Sequence, residues 1–127
     1  MKNAYDYNRA EKLIPLIQAI HRELRERSEA IRDLNIQLHQ MRQGSQPLTR
    51  EERVSRERHV QASLANHKRE IRLANKELAR FGCLIDEDNP FRVLIPGNSG
   101  EFRDGYSWRV GDEQVRALVQ EGPNEAA

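Results

Sequence analysis

An α+β architecture is predicted: a long antiparallel two-helix hairpin, coiled-coil-like, with a small antiparallel β-sheet packed at its base. Three observations carry the prediction. Two apolar stripes at heptad spacing run through the front of the chain. A short linker, Gly44-Ser45-Gln46-Pro47, separates them. Composition then changes near residue 82. No aromatic residue lies between Asn8 and Arg80, yet six of the seven glycines and four of the seven aromatics follow from Gly82 onward. At 127 residues one domain is expected. It divides into a hairpin over 6–81, a small β-rich part over 82–121 and a flexible tail over 122–127.

The first helix is expected from about Asp6 to Arg42, with Asp6 accepting from the free N–H groups of the first turn. Leu13, Ile17, Ile20, Leu24, Arg27, Ile31, Leu34, Leu38 and Met41 follow one another at steps of four and three. Such a stripe wants a partner helix. Pro15 lies beyond the first turn and predicts a bend. The second helix starts at Thr49, where Thr49-Arg50-Glu51-Glu52 has the spacing of a capping box. It runs to about Phe81, and Gly82 suits a left-handed stop. Its stripe is Val60, Leu64, His67, Ile71, Ala74, Leu78 and Phe81.

Antiparallel pairing of the stripes sets Ile17 against Leu78, Leu24 against Ile71 and Ile31 against Leu64. It sets Arg27 against His67, so the two polar exceptions share a layer. Further out it sets Leu38 against Glu57 and Met41 against Arg53, which predicts a polar tip. The hairpin is then roughly 50 Å long at about 1.5 Å per residue. Ile14, Leu16, Ile36 and Leu73 lie off this seam and call for a second cover, from the back half or from another subunit.

In the back half, residues 83–86 (CLID) and 91–95 (FRVLI) read as strands around a DEDNP turn. PGNSG at 96–100 is another turn. Tyr106, Trp108 and Val110 alternate in a third strand-like run, 101–110. Gly105 is either a hairpin turn or a strand bulge, and the residues leave both open. Asp112 is expected to cap a short last helix through Val115, Leu118 and Val119, closed by Gly122-Pro123.

Several of these residues also form a pattern. Leu13-Ile14-Pro15 leads into the charged hairpin. Phe81-Gly82-Cys83, Asp86 and Pro96 follow, and then the run Ser107-Trp108-Arg109-Val110-Gly111-Asp112. From residue 5 to about 115 the chain resembles the bacterial family catalogued as domain of unknown function 2203. The resemblance implies this architecture and assigns no activity.

The function classes narrow by exclusion. No apolar run approaches the roughly 18 residues of a membrane span, and the opening MKNAYDYNRAEK lacks the apolar core of a secretory leader. A lone cysteine, Cys83, excludes an internal disulfide and a multi-cysteine zinc site, and fits a reducing, cytoplasmic setting. The net charge of +1 conceals a split. Residues 1–81 hold 17 basic and 11 acidic side chains, and residues 82–127 hold 4 and 9. No metal site and no cofactor is expected. The histidines, His21, His39, His59 and His67, are never three or four apart, and PGNSG lacks the Lys-Ser/Thr and following helix of a phosphate loop. No residue is nominated as catalytic, and the reading leans against an enzyme.

Three places remain. The Arg27–His67 layer reads most simply as a register-setting pair, with Arg27 reaching toward Glu23, Glu26 or Glu70. Its functional alternative is an anion site or a pH-sensitive joint. The hairpin tip gathers Arg42, Arg50, Arg53, Arg56 and Arg58 beside His39 and His59, in an arginine-rich patch diluted by Glu51, Glu52 and Glu57. Its plain reading is a solvated helix surface. Its functional reading is an anionic partner, nucleic acid included. At the hairpin–sheet junction, Trp108 is expected to cover the apolar base. The alternative is a small-ligand pocket of Trp108, Tyr106, Arg109 and Arg103. The leading expectation is an interaction module that self-associates or binds a protein partner. Nucleic-acid binding and junction chemistry are the alternatives, and no membrane partner is expected.

Overall fold

Asp6 opens the chain's first helix by accepting from the Arg9 amide at 2.8 Å. The computed structural model describes residues 3–44 and 47–118. The helix expected to run unbroken from Asp6 is two: α1 (Tyr7–Lys12) and α2 (Ile14–Arg42). Pro15 explains the break, because it has no N–H to give the Glu11 carbonyl and its ring crowds that oxygen. The chain steps through Leu13, whose amide tightens to a three-residue turn onto Ala10 O at 3.1 Å. Helix α3 (Arg50–Arg80) then returns. Its capping box is formed: the Thr49 amide donates to Glu52 Oε1 at 2.9 Å and the Glu52 amide to Thr49 Oγ1 at 3.1 Å. It ends at Gly82, whose φ is 77°. The Gly82 amide reaches Ala79 O and the Cys83 amide reaches Leu78 O, a Schellman closure.

The structure is thus α+β, with two long helices packed together and a small antiparallel sheet. The sheet comprises β1 (Leu84–Ile85), β2 (Arg92–Ile95), β3 (Tyr106–Arg109) and β4 (Arg116–Ala117), in the order β1-β2-β3-β4. Register places Ile85, Val93 and Trp108 side by side on one face, and Leu84, Leu94, Ser107 and Arg116 on the other. On the first face Val93, Ile95 and Trp108 are buried almost completely. Helices α1 and α2 lie against it, with Tyr7 edge-on to Tyr106 and His21 edge-on to Trp108.

The back half departs from expectation in two places. Gly105 is neither a hairpin turn nor a strand bulge. It closes a 3-10 turn over Phe102–Asp104 and leads into β3. A side chain there would collide with the Ile95 carbonyl oxygen, so close approach is what demands glycine. The last helix is absent over the described residues. Arg116–Ala117 pairs with β3 as β4, and Val119 and the expected tail lie outside the described residues.

Two compact units divide the chain. One takes residues up to His21 and from Asn75 on, with the sheet; the other is Arg22–Ala74. In the first, Ile17, Ile20 and Leu78 are buried beside the sheet core. In the second, the interior does not turn polar toward the linker. Leu38, Met41, Val60 and Leu64 form one buried cluster, with Ile31, Leu34 and Leu48 against it. Leu48, supplied by the linker, packs against the end of this cluster. Glu57, half-buried, meets Arg42 Nε at 3.0 Å, while Leu38 and Met41 lie in the apolar cluster, which corrects the charged tip layer.

Candidate functional site

The Arg27–His67 layer forms as paired. Arg27 Nη1 lies 3.2 Å from His67 Nδ1. A guanidinium only donates, so the bond uses the Nδ1 lone pair and leaves the ring proton on Nε2. The other arm of Arg27 reaches Glu23 Oε1 at 3.3 Å and Glu70 Oε1 at 3.8 Å. Arg27 is therefore engaged by three side chains of the hairpin: His67, Glu23 and Glu70.

The tip arginines spread around α3 rather than converging. Arg50, Arg56 and Arg58 are exposed and Arg53 is half-buried. Arg42 is held by Glu57. The junction residues fall on different surfaces. Trp108 is 1% exposed on the inner face and gives its indole N–H to Asp112 O at 3.0 Å. Arg109 is exposed and its register partner is Arg92. Arg103 sits in the 3-10 turn and pairs with Glu101 at 3.0 Å. Tyr106 is half-buried on the inner face, and its hydroxyl is held above the usual phenol range by burial, then by Asp6 and Asp104.

Cys83 is buried, and desolvation pushes its thiol up to about 12, so no thiolate nucleophile is available near neutral pH. Among the described residues no cluster of three histidine, cysteine or carboxylate side chains is arranged to hold a metal ion. His21, buried and polar like Ser107, is not singled out by the spacing of the histidines. It is 4% exposed, and its Nε2 donates to Pro90 O at 2.7 Å. No local pattern announces it, because the partner is a backbone carbonyl in a distant turn.

What stands open is the hairpin's outer surface. A shallow groove of about 680 Å³ runs along α2, with Ser28, Arg32, Asn35, Ile36, His39 and Gln43 among the residues that line it. These residues recur every three or four positions, so they share one side of the helix. Ile36 is 51% exposed there, and Leu73 and Val54 on α3 are exposed at 53% and 45%. A second, polar hollow of about 450 Å³ lies in the loop from Gly111 to Arg116. No described helix is long and apolar enough to cross a membrane.

A family model described as an uncharacterized conserved protein, DUF2203, matches residues 3–122. No curated protein and no solved structure matches the chain.

Proposed function

We propose, for a chain that belongs to the DUF2203 family of uncharacterized conserved proteins, that the hairpin serves as a protein-interaction and assembly module. The observation that carries this is the exposure of Ile36, Val54 and Leu73 on helices whose mutual seam is already filled. Each leaves an apolar side chain in water at a cost that a partner surface would relieve. The groove beside Ile36 gives such a partner a place to seat a side chain.

Sedimentation equilibrium across protein concentration tests it. The mass-average rises above the monomer's 14.8 kDa with concentration, or with an added partner, and Ile36→Glu returns it to the monomer. A wild-type chain that stays monomeric and binds no protein refutes the module.

Nucleic-acid binding through Arg50, Arg53, Arg56 and Arg58 is the second reading. It is favoured by the exposed guanidiniums of Arg50 and Arg58, which have no carboxylate in ion-pair distance among the described residues. Such binding falls steeply with salt and is lost in Arg53→Glu/Arg56→Glu.

A further inference from the structure

Charge on the hairpin is sorted by side. Arg27, on the seam, touches Glu23 of α2 and Glu70 of α3, which sets those two carboxylates on one flank. Glu26 and Asp33, one heptad apart, continue this flank on the adjoining strip of α2, and Glu52 does so near the start of α3. Over residues 22–74 Arg56 is the single arginine or lysine on these strips, and Arg80 lies further along the strip of Glu52. The opposite flank contains the groove-side strip of α2. It carries Arg25, Arg32 and Arg42 from α2, and Arg58, Lys68 and Arg72 from α3, all exposed. Glu51 is its single carboxylate. In an antiparallel helix pair the corresponding flanking positions of both helices fall on one side, so each strip is contributed by both helices.

The sorting is incompletely neutralised within the chain. Arg25 pairs with Glu29 and Arg42 with Glu57. Among the described residues, Arg32, Arg58, Lys68 and Arg72 have no carboxylate within ion-pair distance, and neither Glu26 nor Asp33 has a cation within it. A helix surface left to solvent gains from mixing its signs at i,i+4 and loses by sorting them. Each flank also shows exposed aliphatic residues: Val54 and the groove's Ile36 on the basic side and Leu73 on the acidic side.

We propose that the basic flank of one hairpin docks against the acidic flank of a second copy of this chain. This deepens the interaction-module reading and rests on it. A polyanion explains only the basic flank, and no aromatic between Asn8 and Arg80 is available to stack on a base. A second copy accounts for both flanks at once. The flanks face opposite ways, so a two-fold contact would set like charge against like. The pairing is therefore head-to-tail, and it builds a series of assemblies unless its rotation closes a ring.

The test is sedimentation of the full chain at low and high salt, with two charge-reversed variants. One is Arg32→Glu/Arg58→Glu/Arg72→Glu, which makes both flanks acidic. The other is Glu26→Arg/Asp33→Arg, which cancels the net charge of the acidic flank and leaves the basic flank alone. All changes are at exposed positions, and circular dichroism checks that the helices persist. The wild type forms a concentration-dependent series at about 0.01 M salt, which collapses to monomer at about 1 M, where the Debye length is about 3 Å. Each variant alone is monomeric, and an equimolar mixture of the two associates again. A mixture that stays monomeric overturns the flank pairing. Association that ignores salt and both reversals but falls with Ile36→Glu also overturns it, while upholding the interaction module. A wild type that is monomeric throughout overturns self-association outright. If that monomer binds duplex nucleic acid, the basic flank belongs to a polyanion instead.

Discussion

Cys83 shows how far one residue's surroundings decide its chemistry. The residue is 3% exposed, its sulfur lies 3.7 Å from Phe81 O, and it sits just past a helix stop. The folded protein at pH 7.5 is expected to resist a thiol reagent, with labelling that appears only as denaturant unfolds the chain. Rapid labelling of the native protein would contradict this. The inertness was legible from sequence, since a lone cysteine heading a strand with no histidine nearby reads as a packing residue. The Arg27–His67 contact was legible too, because two polar exceptions fell in one layer of otherwise apolar stripes. His21 was not. Its hydrogen bond depends on where the Pro90 turn lies, which neither helix periodicity nor local composition encodes.

Among the elements, the ends of the helices carry the clearest energetic prediction. The Thr49 hydroxyl accepts from the Glu52 amide at the start of α3, and Thr49→Ala is expected to cost about 1 kcal/mol by urea denaturation, as caps commonly do. Glu11 plays a different part. Its carboxylate accepts the Val115 amide at 2.6 Å, tying α1 to the segment before β4. Glu11→Ala removes that acceptor and leaves a part-buried amide unpaired, so a loss of roughly 1–3 kcal/mol is expected. Amide exchange at Val115 should accelerate with it. A variant with wild-type exchange there would contradict the tie. This region is also where sequence reading failed. Asp112, Val115 and Leu118 have helical spacing, but a helix that short is marginal on its own. The edge of β3 offered a ladder instead: Tyr106 and Ser107 pair with Ala117 and Arg116, and the Leu118 amide reaches Gly105 O. Pro15 predicts a bend and the helix instead stops before it, because the proline removes a bond and crowds a carbonyl in the same turn.

At the scale of the molecule, acid sensitivity follows from three carboxylates. Asp86 is held below the usual range by the Asp88 amide and then by Arg92, Asp104 by Ser99, and Glu52 by Thr49. Each binds its proton less readily when folded than when unfolded. Their stabilisation is complete above an unfolded carboxyl value of about 4 and is lost as pH falls through the lower folded values. The melting temperature is therefore expected to hold between pH 5 and 7 and to drop below about pH 4, less steeply in Asp86→Asn. The long helices and the strands were legible because periodicity and turn residues are local. The composition break at residue 82 was plain as well, yet the compact units part at 21/22 and 74/75. The base of each helix joins the sheet, where Ile17, Ile20 and Leu78 are buried with Val93, Ile95 and Trp108. That the sheet packs at the base was legible from the apolar excess there and from Trp108; the residues at which each helix passes from one unit to the other were not.

The two ends of the described chain meet the same base. Asn3 binds Arg80 O, Tyr5 binds Phe81 O and its amide reaches Gly97 O, and Glu11 waits on Val115. These partners are separated by 76 to 104 residues. On a ribosome, the first segment is made long before anything it docks against. The 22–74 stretch closes on itself within its own length and gains structure as it emerges. The base can be sealed only once residue 115 is free, so the protein's birth has a fixed order, with the arm formed first and its root last.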